Sequence, residues 1–121
     1  MLIRYKKTFE KIAMGLLSFM PNEKDVKKLQ QTMKQYESDD DWHLYLWKEG
    51  DDIIGLVGIC QNGDSAFEIL HLTVNPSYRN QGVGKAILKA LKEHYPDSTF
   101  TPSKEVEPFF SKIEEEIFQD G

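Results

Sequence analysis

The chain has 121 residues and a mass of 14.0 kDa, with 15 Lys and Arg against 20 Asp and Glu, which sets the formal charge at −5 and the pI near 5.2. That length fits one domain, and 40% apolar with 12% aromatic residues can bury a core without disulfides or a structural metal. Cys60 is the sole cysteine, and His43, His71 and His94 lie at no spacing that builds a Cys/His zinc site, so a disulfide scaffold and a zinc finger are excluded.

Residues 2–5 read as a short extended run, and the N-terminus shows no signal-peptide hydrophobic stretch. No apolar run approaches the length of a membrane span, and the acidic total argues against nucleic-acid binding, so the expectation is a cytoplasmic protein. Phe9, Ile12, Ala13, Leu16, Leu17 and Met20 then form a helical stripe that Pro21 ends. Asn22 is the expected N-cap of a second helix, with Val26, Leu29, Met33 and Tyr36 along one side.

Residues 42–47 alternate two apolar sets rich in aromatics, which favours a strand. After the turn at residues 49–52, residues 53–60 are almost unbroken apolar sequence, a buried strand, and residues 67–74 complete a meander. From Gly82 the period becomes helical through Val83, Ala86, Ile87, Ala90 and Leu91, up to Pro96. Residues 98–101 form a short strand, and a last helix starting near Glu105 is expected to bury Val106, Phe109, Phe110, Ile113 and Ile117. The order is β-α-α-β-β-β-α-β-α, one α/β domain spanning residues 1–121.

Chemistry concentrates after the third meander strand. Residues 75–92 carry Arg79, Lys85, Lys89 and Lys92 and no acid. Gly82 and Gly84 open the following helix, where glycines let unpaired N–H groups approach a ligand and the helix dipole favours an anion. A diphosphate suits such a cradle. A Walker loop would need Gly at 79 and Ser or Thr at 86, but these are Arg79 and Ala86; a dinucleotide fingerprint would need a third glycine at 87, which is Ile87.

The segment Arg79-Asn80-Gln81-Gly82-Val83-Gly84 resembles motif A of the GNAT acyltransferases, Gln/Arg-x-x-Gly-x-Gly/Ala, as do Leu72-Thr73-Val74-Asn75-Pro76 before it and Tyr78 just ahead of the arginine. The resemblance extends to the element order and implies a GNAT-like mixed sheet. It implies coenzyme A with its pyrophosphate on the loop of Arg79, Asn80, Gln81, Gly82, Val83, Gly84 and Lys85, and its pantetheine arm along the backbone of Leu72, Thr73 and Val74. The reaction implied is transfer of an acetyl group from acetyl-CoA to a primary amine of a small molecule or protein, with Glu68 in the position of the general base. No metal is implied. Two bland alternatives stand beside these roles: Glu68 as a solvent-facing strand residue, and His71, placed by regular alternation on the side of Phe67, Ile69 and Thr73, as a half-core histidine unless a β-bulge shifts it.

Two departures from the family pattern stand out. Where many members carry Asn-x-x-Ala-x-x-Phe-Tyr on the last helix, this chain has Ser103 and Phe109-Phe110, so the tyrosine that protonates the departing thiolate is missing, with Tyr78 or water as substitutes. The usual C-terminal hairpin is also missing, which would leave residues 98–101 as a sheet edge open to a second copy of the chain, a possible homodimer, and the acceptor side open. Both features are similar to a small GNAT-type protein encoded beside riboflavin-synthesis genes, which implies a link to riboflavin metabolism. The alternative function is a catalytically weak acyl-CoA-binding sensor or docking module.

Overall fold

The structure is a computed structural model that describes the backbone of residues 1–120 and the side chains of residues 1–113. Its elements are β1 (Leu2–Arg4), α1 (Glu10–Leu17), α2 (Val26–Ser38), β2 (Trp42–Glu49), β3 (Asp52–Gln61), β4 (Ala66–Val74), α3 (Val83–His94), β5 (Thr99–Pro102) and α4 (Glu107–Asp120), with 3-10 turns at Lys7–Phe9 and Pro76–Tyr78. The five strands lie in the order β1-β2-β3-β4-β5. All pair antiparallel except β4 with β5, which run parallel.

Helices cover both faces because both faces are apolar. On one, Ala13, Leu16 and Leu17 of α1 and Leu29, Met33 and Tyr36 of α2 pack on Leu44, Leu46 and Leu56. On the other, Val83, Ile87, Leu88 and Leu91 of α3, with Val106, Phe110 and Ile113, pack on Val57, Ile59, Phe67, Ile69, Leu72 and Val74. Each fully buried Leu or Ile contributes about 1.5–3 kcal/mol.

Three expectations are corrected. The N-cap of α2 is Asp25, whose carboxylate accepts from Lys27 N–H at 2.9 Å, because the Asn22 amide instead donates to Glu105 Oε1 at 2.9 Å. Phe109 is 38% exposed, since among the described side chains of α4 only Phe110 and Ile113 turn into the core, beside Val106 just ahead of the helix; the side chain of Ile117 lies outside the described residues. Third, β4 does not alternate regularly. Gly58 pairs with His71 but Ile59 pairs with Ile69, so Leu70 is an extra residue in a β-bulge. Phe67, Ile69, Leu72 and Val74 therefore face α3, while His71 is moved to the opposite face and touches α2.

Candidate active site

The turn from β4 into α3 shows why this sequence needs its glycines and asparagines. Asn75 Oδ1 accepts from Ser77 N–H at 2.9 Å and starts the 3-10 turn. Asn80 (φ 65°) and Gly82 (φ 79°) then take left-handed conformations, which Asn tolerates and Gly adopts freely. Gly82 is the N-cap of α3, and among the described residues no side chain caps that end. The first-turn N–H groups of Val83 and Gly84 have no carbonyl to meet inside the helix and suit an anion. Gly84 has a different reason: a Cβ there would lie 2.8 Å from Phe109 Cζ and 2.9 Å from Ile113 Cδ1.

A groove of about 360 Å³ runs from this helix end along β4. Its walls include Leu72, Thr73, Val74, Tyr78, Arg79, Lys85 and Lys112, with Phe19 and Phe109 half-exposed at the sides. Pairing of β4 with β5 stops at Ile69 and Pro102, beyond which β4 continues with β3 alone. Asn75 N–H donates to Ile54 O on β3 at 2.8 Å, so by antiparallel alternation the main-chain groups of Leu72 and Val74 point to the opened side. Thr73 Oγ1 is buried without a hydrogen-bond partner among the described residues. An amide-bearing chain laid beside β4 would find matching donors and acceptors there.

A second cavity of about 220 Å³ adjoins the groove, with Met20 and Glu105 lining both. Its polar end holds Glu23, from the connection between α1 and α2, which is 4% exposed. The Glu23 carboxylate accepts from Thr32 Oγ1 at 3.0 and 3.1 Å and meets His71 Nε2 at 3.2 Å. His71 Nδ1 lies 2.5 Å from the Tyr36 hydroxyl. Burial pushes the Glu23 carboxyl up, but the hydrogen bonds from His71 and Thr32 and the charges of His71 and Lys28 outweigh it and hold the group below the usual carboxylate range. Burial, then the Glu23 charge, pushes the Tyr36 hydroxyl well up, so it stays protonated.

The profile of the Acetyltransferase (GNAT) family matches residues 10–107. This chain belongs to that family. An uncharacterized N-acetyltransferase in the lysA 3′ region of Bacillus methanolicus is 60% identical over 114 residues, covering 94% of this chain and 95% of its own. Among solved structures, AAC(6′)-Iy in complex with a bisubstrate analog of CoA superposes with a TM-score of 0.72 at 14% identity, over 93% of this chain and 84% of that one. A GNAT family acetyltransferase of Staphylococcus aureus gives 0.63 at 23% identity, over 84% and 83%. At those identities the structural likeness speaks for the GNAT fold.

Within this GNAT chain the structure brings most of the expected residues together. Leu72, Thr73, Val74, Arg79, Asn80, Gly82, Val83, Gly84 and Lys85 line the groove, and Gln81 stands exposed beside it. Glu68 is set apart: it is half-buried, pairs across to Cys60 and Thr101, and lines neither the groove nor the adjoining cavity. Phe110, at the position of the missing tyrosine, points into the core, whereas Tyr78 lines the groove. Glu23, Thr32 and Tyr36 were invisible as site residues, because Glu23 sits in a connection and the other two in unremarkable helical sequence, and the cluster with His71 forms only through the fold. No helix among the described residues is long and apolar enough to cross a membrane.

Proposed function

We propose that the protein transfers the acetyl group of acetyl-CoA to a primary amine, with the coenzyme in the groove along β4 and the amine in the adjoining cavity. The observation that carries this reading is the coincidence of an uncapped, glycine-started helix end with a strand whose main chain is opened by divergence of its neighbour. The first-turn N–H groups of α3, with Arg79 and Lys85 beside them, suit a diphosphate; Leu72 and Val74 suit the amides of the pantetheine arm.

Acetyl transfer needs the amine in its unprotonated form and a leaving thiolate. A thiol with a pKa of roughly 8.5 departs tolerably without an acid, so Phe110 in place of tyrosine slows turnover and does not forbid it. We extend the reading to amines of riboflavin metabolism, on the support of the Phe109-Phe110 pair, and to self-association along the outer edge of β5, for which a dimeric mass at micromolar concentration is the check. Calorimetry with CoA, acetyl-CoA and ATP, followed by an acceptor screen that reads thiol release, tests the whole. Tight CoA binding with amine-dependent release is expected; preference for ATP would overturn it.

A second reading, an acyl-CoA-binding module without turnover, is favoured by Phe110 alone, whose ring offers the groove no hydroxyl. Coenzyme binding with no thiol release from any amine would select it.

A further inference from the structure

The cluster of Glu23, Thr32, Tyr36 and His71 is assembled by three unrelated features. The bulge at Leu70 carries His71 to the α2 side of the sheet. Gly58, its partner on β3, leaves the space that Tyr36 fills: a Cβ there would fall inside the tyrosine hydroxyl and stand 2.9 Å from Cε1. The connection before α2 tucks Glu23 inward against Thr32. The Tyr36 hydroxyl shares a hydrogen bond of 2.5 Å with His71 Nδ1, which orients the ring so that Nε2 faces the Glu23 carboxylate at 3.2 Å. A buried carboxylate is held at a cost unless a cation pairs with it. Of the charged groups that face the cavity, Lys28 sits exposed at the rim, His71 meets Glu23 through Nε2, and Glu105 adds a second carboxylate, so the lining suits a further cation.

We propose that Glu23 is the amine-binding and proton-accepting carboxylate, that the cavity takes a primary alkylammonium with a short apolar stem, and that His71 and Tyr36 are positioning residues. This deepens the acetyltransferase reading and rests on it. The volume of about 220 Å³ holds the space of roughly seven waters at about 30 Å³ each, enough for an alkyl stem along Met20, Trp42 and Leu70 with its ammonium at Glu23. The proton balance is simple. R–NH3⁺ binds Glu23 and gives it one proton; the R–NH2 nitrogen then forms the C–N bond as the C–S bond breaks, and its second proton goes to the sulfur as thiol. Glu23 releases its proton to water when the amide leaves.

The first test needs neither turnover nor coenzyme. On the coenzyme-free chain, n-butylamine should shift the His71 ring resonances in NMR saturably, and n-butanol, equal in length and uncharged, should not. In Glu23→Gln the amine affinity should fall roughly thirtyfold or more, with CoA affinity kept as the sign of an intact fold, and amine-dependent thiol release should fall about a hundredfold or more. Tyr36→Phe, the milder variant, should move the pH profile of kcat/KM for the amine and leave CoA affinity unchanged. Equal response to butanol, an unshifted His71, or loss of thiol release in Glu68→Gln but not in Glu23→Gln would overturn the proposal. A chain that binds butylamine but no CoA would overturn the donor reading instead.

Discussion

The groove at α3 and the cavity behind β4 are built by opposite means. The groove is main chain: left-handed Asn80 and Gly82, an uncapped helix end, and a strand edge freed by β5. The cavity is side chain: a carboxylate, a hydroxyl, an imidazole and a phenol drawn from the α1–α2 connection, α2 and β4. A main-chain site tolerates changes of residue that keep the dihedral angles, whereas a buried side-chain network fails when any one member is displaced.

That contrast can be broken by substitution. The largest effect is expected for Gly58→Ala, whose Cβ must evict Tyr36: overpacking of this kind costs about 3 kcal/mol, read by chemical denaturation. Amine-dependent release should collapse in the surviving folded protein while CoA binding persists, and retention of both would show the cavity to be more pliable than its packing implies. Next comes Gly82, where no neighbour lies within 4 Å of an added Cβ, so only the dihedral angle matters. Gly82→Val should destabilise by about 1–2 kcal/mol and weaken CoA in calorimetry, while Gly82→Asn, tolerant of a left-handed backbone, should keep most of the affinity.

Smaller again is an acid effect. A carboxyl held below its ordinary value near 4.5 stabilises the fold above that pH and loses the contribution as the pH falls through its lowered value. Thermal stability of the parent should therefore drop more steeply below about pH 4.5 than that of Glu23→Gln, and parallel curves would remove Glu23 from the account. The least change in turnover is expected of Phe110→Tyr. Its hydroxyl would enter the core and not the groove, so turnover should stay level and stability fall by about 1–3 kcal/mol; faster thiol release would show that the ring can swing outward.

The same contrast explains what could be read from sequence. Helical and strand periods located every element to within a few residues, and the groove was legible because glycines, a helix start and cations lie in one continuous segment, residues 79–85. The cavity was not, since Glu23 and His71 are 48 positions apart and meet only after a single extra residue, Leu70, reverses the side to which His71 points. Asn22 misled for a related reason: its amide had a partner, Glu105, 83 positions away, which no local capping rule can see. Phe109 misled because a period of 3.6 marks a stripe without saying how wide the neighbour is.

One stretch of backbone, the connection between α1 and α2, sends Phe19 and Pro21 to the wall of the groove and Glu23 to the floor of the cavity. Any shift of that stretch that loosens one ligand must be felt by the other, and thermodynamic reciprocity makes the influence equal in both directions. With coenzyme and amine bound as proposed, their affinities would be coupled through the eight connecting residues, 18–25.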